Sequence, residues 1–187
     1  MNYIHSKISR GIYNLRQLSD LLPSYILKLI YYAHIHSHLN YCSNILSLCT
    51  ANTLLPLITI QKKAIRLICK KGALEHTAPL FQQEKILPIS FMIDLNALIF
   101  IFDYIHKNLP PSFDETWQRI EQVNNRYNLR NNDNFRLPNI RYFYLDKHPL
   151  FNFPKLYNNL NEEIKQINNR FNFVVSLKSY FLQHLTR

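Results

Sequence analysis

"IQKKAIRLICKKGALEHTAPLF", residues 60–81, places five cations and no acid in the twelve positions before its glycine. At about 100° per residue, Ile60, Ala64, Leu67 and Ile68 fall in one arc, and Lys62, Lys63, Arg66 and Lys70 fill the opposite one. The segment therefore predicts a two-faced helix, with one side in a core and a basic side outward. Gly72 is placed as the residue after the helix C-cap, and Lys70 and Lys71 suit the negative end of the helix dipole. Thr77, with Pro79 two residues on, marks the start of another short helix.

Helical spacing extends outward from this stretch as far as about residue 108. "KISRGIYNLRQL" (7–18) puts Ile8, Ile12, Leu15 and Leu18 on one face of an amphipathic helix. Pro23 then stands where the first turn of a helix tolerates proline. "SYILKLIYYAHIHSHL" (24–39) reads as a strongly apolar helix buried on most sides. The longest apolar run, "ILPISFMIDLNALIFIFDYI" (86–105), is interrupted by Asp94, Asn96 and Asp103. Carboxylates at the middle of a bilayer are expensive, so the run predicts a core helix and no membrane span.

Beyond "NLPPSF" (108–113) the texture changes. "NNRYNLRNNDNFRLPNI" (124–140) is asparagine-rich and without period, a polar loop. "RYFYL" (141–145) favours strand and could pair with "FRLP" (135–138) as a small hairpin. "PKLYNNLNEEIKQI" (154–167) and "FVVSLKSYFLQHL" (173–185) return to helical spacing. The expected fold is mainly α: a bundle-like helical part over residues 1–108, then a smaller α part over 109–187 with a short hairpin or irregular region.

The 187 residues carry a formal charge of +10. The excess is spread: residues 1–109 hold 11 cations and 5 acids (+6), and 110–187 hold 11 and 7 (+4). Such basicity favours an anionic partner, nucleic acid or a membrane surface. Only 2 glycines argue against phosphate-cradling loops, and there is no Walker loop, dinucleotide fingerprint or nucleophile elbow. Adjacent acids occur only as Asp114-Glu115 and Glu162-Glu163, at expected helix starts, so no two-metal carboxylate site is visible. His34 and His38 in "HIHSH" would share a helix face at zinc-ligand spacing, but no third ligand stands at a familiar distance, and a structural role is favoured. No catalytic residue, metal or cofactor is expected. Cys42, Cys49 and Cys69, an odd number without C-x-x-C spacing, and the lack of a signal-peptide pattern suit an intracellular protein of cytoplasm or nucleus, not a secreted one.

Two stretches remain as binding candidates. Lys62, Lys63, Arg66 and Lys70 repel one another without an intervening acid, a strain that a polyphosphate would relieve; the alternative is a solvated face. In "RYNLRNNDNFRLPNIRYFY" (126–144), Arg126, Arg130, Arg136 and Arg141 interleave with aromatics able to stack on bases; the alternative is a loop anchored by aromatic plugs.

Six motifs, in order, resemble the C-terminal end of LINE-like (non-LTR) retrotransposon reverse transcriptases, in and after the thumb. They are "KISRGIYNLRQL", "LIYYAHIHSHLNYC" (29–42), "IQKKAIRLICKKGALEHTAPLF", "KNLPPSF" (107–113), "RYNLRNNDNFRLPNIR" (126–141) and "PKLYNNLNEEI" (154–164). The closing "FVVSLKSYFL" (173–182) resembles that family's last helix. The resemblance runs from about Lys7 to Leu182 and has departures. Leu46-Ser47 stands where the family has Trp-Gly, and Leu129 where it has threonine. Phe153-Pro154-Lys155-Leu156-Tyr157-Asn158 stands for Gly-Pro-x-Leu-Trp-Asn, and Leu160-Asn161 for Leu-Pro. Two lost tryptophan plugs imply a drifted copy with altered packing.

The resemblance implies RNA-directed DNA synthesis for the parent protein, with its Asp-Asp motif in a palm upstream of Met1. For this chain it implies a non-catalytic fragment that keeps sequence-nonspecific binding to RNA or an RNA–DNA duplex. The rival expectations are a helical interaction module that self-associates through apolar helices, or a pseudogene product with no selected role.

Overall fold

The computed structural model describes residues 2–41, 43–120, 133–139 and 146–186. The fold is mainly α. In chain order the helices are α1 (Asn2–Leu18), α2 (Ser24–Tyr31), α3 (Ser37–Asn40), α4 (Ser43–Leu46), α5 (Ala51–Ile68), α6 (Thr77–Gln83) and α7 (Ile89–Ile105). They continue as α8 (Pro149–Asn158), α9 (Glu162–Lys165) and α10 (Arg170–Gln183). Two compact units emerge: Met1–Ile93 with Lys178–Arg187, and Asp94–Leu177. The division falls inside α7 and α10.

In the first unit the amphipathic pattern of α1 is realised, with Ile8 and Leu15 fully buried and Ile12 and Leu18 packed at the edge of the same core. The second apolar stretch behaves differently from its expectation. Leu27, Tyr31, Ile35 and Leu39 form one buried stripe, while Tyr25 and Leu29 are 68% and 62% exposed, so the helix is buried on one side only. Pro23 is its N-cap. A stripe at strict four-residue spacing would rotate by about 40° at each step of an ordinary α-helix. Here a π-helical turn, Tyr32–His36, joins α2 to α3 and holds the stripe on the core. Gly11 of α1 crosses at that turn. A Cβ at this position would lie 2.9 Å from Ile35 Cγ1 and 3.2 Å from the His34 carbonyl oxygen, so only glycine allows the approach.

Helix α5 is capped by Thr50, whose hydroxyl accepts from the Thr53 N–H at 3.4 Å. Its apolar arc, Leu57, Ile60, Ala64, Ile65 and Ile68, is buried. One polar residue lies in that arc: Gln61, 1% exposed. Its Nε2 donates to the Tyr31 hydroxyl and the Leu87 carbonyl, both at 2.9 Å, and its Oε1 accepts from the Ile89 N–H at 2.7 Å. Ile89 opens α7, so a side chain from another helix satisfies one of the donors that a helix start leaves orphaned. Burial raises the Tyr31 hydroxyl well above the usual phenolic range, and the bond from Gln61 offsets part of that rise.

Three helices end in one way. Lys70, Lys85 and Lys107 adopt φ of 52°, 53° and 55°, the left-handed region. Each is followed by a bond from the next N–H to the carbonyl five residues back: Lys71 to Arg66 (2.9 Å), Ile86 to Phe81 (3.0 Å) and Asn108 to Asp103 (2.8 Å). These are Schellman closures with lysine at the position glycine usually takes. The expectation for Gly72 is thereby corrected: α5 ends at Ile68, the left-handed residue falls on Lys70, and no glycine has positive φ.

The second unit is built on aromatics. Phe100 packs edge-on against Phe113, Trp117 and Phe153, with centroids 5.5–6.2 Å apart, and Phe102 stacks on Phe173 at 4.6 Å. The Trp117 indole donates to the Leu150 carbonyl at 3.1 Å, and the Tyr104 hydroxyl donates to the Trp117 carbonyl. Asn158 clasps the buried Phe135 through both backbone groups, accepting from its N–H at 2.9 Å and donating to its carbonyl at 2.8 Å. Among the described residues no strand forms. Phe135 makes one isolated antiparallel bridge, with Arg119, and the 141–145 half of the expected hairpin lies outside the described residues.

Candidate nucleic-acid interface

Anchored by its apolar arc, α5 leaves Lys62 and Lys63 exposed, and Lys70 and Lys71 are exposed at its end. Residues 62 and 66 are one four-residue step apart on α5, which places neighbouring side chains about 5–6 Å apart, and Lys70 follows in the closing turn beyond Ile68. Arg66 is half-buried, and its Nε donates to the Glu75 carbonyl at 2.9 Å. Among the described residues no carboxylate pairs with Lys62, Lys63 or Lys70, whereas Lys28 of the same unit pairs with Glu84 at 3.5 Å. Lys62, Lys63 and Arg66 are thus carried on α5 and Lys70 on its closing turn, and among the described residues none of the four is paired with a carboxylate.

Arg136 belongs to the second unit, where it is exposed; its N–H donates to the Gln118 carbonyl at 2.9 Å, and it borders a cavity of about 450 Å³ with Trp117, Leu137 and Leu150. Arg126, Arg130 and Arg141 lie outside the described residues.

His34 is exposed, and His36 packs edge-on against Tyr32 at 5.0 Å. Burial, with a smaller contribution from Lys178, lowers the basicity of His36. Among the described residues no three His, Cys, Asp or Glu side chains converge as a metal site. Among them, too, no helix is long and apolar enough to cross a membrane. The Cys69 thiol is pushed up to about 11, first by burial and then by the neighbouring Glu84 carboxylate, which leaves it a poor nucleophile.

Sequence reading passed over some polar residues of consequence. Lys165 has a side chain 6% exposed, and its Nζ donates to Asn134 Oδ1 (3.1 Å), the Asn158 carbonyl (3.3 Å) and Glu162 Oε1 (2.8 Å). Arg119 borders an open cleft of about 570 Å³ with Tyr104, Lys107, Asp114, Trp117 and Phe135. The only advance signal for Lys165 was a cation three residues after Glu162, an ordinary surface pattern. At the positions that depart from the reverse-transcriptase pattern, Leu46 and Tyr157 are both buried, Tyr157 edge-on to Phe135 at 5.4 Å.

Comparison with known proteins finds no match: no family model, no curated protein and no solved structure is significantly similar to this chain.

Proposed function

We propose that this chain is a non-catalytic segment from the C-terminal region of a LINE-like reverse transcriptase, and that it binds RNA or an RNA–DNA duplex without regard to base sequence. The observation that carries this reading is the set of Lys62, Lys63 and Arg66 on α5 and Lys70 on its closing turn, without a carboxylate partner among the described residues, on a helix whose other side is core. Cations in such a set neutralise phosphates and release counterions, a source of affinity that depends on charge and not on base identity. The ordered motifs resemble the parent family, in which a helix following the palm could face the template–primer duplex. Binding tests this reading. RNA–DNA duplexes of unrelated sequence should bind with equal affinity, and changing Lys62, Lys63, Arg66 and Lys70 together to glutamine should weaken all of them alike while helicity is kept. Affinity that follows base sequence, or that survives the change, would contradict it.

A second reading has its own observation. Tyr25 and Leu29, four residues apart on α2, are both more than 60% exposed, an apolar pair that suits a helical interaction module. Concentration-dependent mass in light scattering, abolished by Tyr25→Ser with Leu29→Ser, would favour it.

A further inference from the structure

The large apolar side chain with the highest exposure among the described residues is Leu74, at 97%. It follows directly on the basic helix. Gly72, Ala73, Leu74 and Glu75 form a turn closed by the Glu75 N–H donating to the Gly72 carbonyl at 3.2 Å. Arg66 holds this turn from two sides. Its backbone carbonyl accepts from Lys71 N–H at 2.9 Å, and its guanidinium Nε reaches over to the Glu75 carbonyl, also at 2.9 Å. A Cβ built on Gly72 would meet nothing within 4 Å, so the approach to the turn is open. Single exposed leucines are ordinary on protein surfaces. This one stands at the tip of a turn fixed by a residue of the cationic set, just after Lys70 and Lys71, and Lys70 is held there in a left-handed conformation.

We propose that Leu74 is an apolar wedge that enters between base steps of the duplex whose phosphates the cationic set engages. The inference rests on the nucleic-acid reading above and adds a residue with a separate task. Cations position the backbone, and a leucine pressed into a groove partly unstacks the bases there. A turn already fixed by Arg66 presents the side chain with little backbone left to order on binding, as a wedge requires. The charge beside it selects an anionic occupant, and the steps between stacked bases supply the apolar contact that a fully exposed leucine lacks.

The test uses the full chain and an RNA–DNA duplex carrying 2-aminopurine in its DNA strand, with anisotropy and 2-aminopurine emission read together. Leu74→Ser touches no packed side chain, so the fold should be kept. The wild type should raise the emission on binding. Leu74→Ser should abolish that rise and weaken binding about five- to ten-fold with the salt slope unchanged, and Leu74→Met should restore both. Binding and emission in Leu74→Ser equal to wild type would overturn the wedge while leaving the cationic interface standing. An unchanged salt slope in the four-glutamine variant would overturn the interface itself. If Leu74→Ser leaves the duplex untouched but lowers binding to phosphatidylserine vesicles, the turn serves a lipid surface and the wedge is refuted.

Discussion

Replacing Gln61 by methionine keeps the length and approximate volume of the side chain and removes its three hydrogen bonds. The Tyr31 hydroxyl, the Leu87 carbonyl and the Ile89 N–H would each lose the partner described above, and Gln61 and Tyr31 are both at 1% exposure. A buried polar group left without a partner costs about 1–3 kcal/mol, so three sum to about 3–9 kcal/mol. Relaxation and the gain from placing a thioether instead of an amide among apolar side chains return part of this. The expected net loss is about 2–5 kcal/mol, a large share of the roughly 5–15 kcal/mol that holds a domain folded. Urea unfolding followed by circular dichroism measures it, provided the m-value stays constant. Tyr31→Phe should cost about 1 kcal/mol, and the double variant should lose less than the sum of the two, because each removes the other's partner. A loss under about 1 kcal/mol for Gln61→Met, or strict additivity with Tyr31→Phe, would refute the role of Gln61 as the clamp on the start of α7.

Lys85→Gly and Lys107→Gly should each raise stability by about 0.5–1 kcal/mol, because glycine adopts the left-handed closure without the penalty a side chain brings; a fall in melting temperature would contradict the Schellman geometry. Gly11→Ala should lower stability by about 1–2 kcal/mol, since the crowding at Ile35 and the His34 carbonyl outweighs the gain in helix propensity; a stabilised variant would show that α1 does not cross so closely. Burial pushes the Asp94 carboxyl up to about 6, above its value of about 4 in an unfolded chain. The folded state therefore holds this proton more tightly, and stability falls as pH rises from about 4 to 6 and stays reduced above. Asp94→Asn should accordingly add about 1–3 kcal/mol at pH 7 and almost nothing at pH 4, read from urea midpoints at the two values; an equal effect at both would exclude burial of the charge as the cause.

What could be read from the chain beforehand was set by local periodicity. The stripe of α1, the two faces of α5 and the apolar run of α7 follow from spacing, because a side chain's burial on a helix repeats with the turn. The misread features depend on groups distant in sequence. Gln61 looks like another polar residue beside Lys62 and becomes a core residue only because Leu87 and Ile89 arrive with unpaired backbone groups. The left-handed closure falls on Lys70 because the buried arc ends at Ile68, and glycine's general preference for that conformation pointed two residues too far. The π turn was legible in principle, as four apolar residues each four apart, a spacing that drifts by about 120° around an ordinary α-helix over its length. Of the eight cations expected to bind, three stand on α5 and Lys70 on its closing turn, so one helix and its end carry four of them. Arg136 lies in the other compact unit, and spacing along a polar loop carries no information about which of its arginines converge.

The salt dependence of duplex binding separates a phosphate-contacting face from a merely solvated one. Fluorescence anisotropy of an RNA–DNA duplex, titrated with the wild type and with the variant carrying glutamine at 62, 63, 66 and 70, gives log affinity against log salt for each. Every phosphate contact adds slightly under one unit to that slope, so the variant should retain its helicity while its slope falls by roughly two to four units. A folded variant with the slope of the wild type would contradict the cationic interface and leave the cations of α5 and its closing turn as solvated charge.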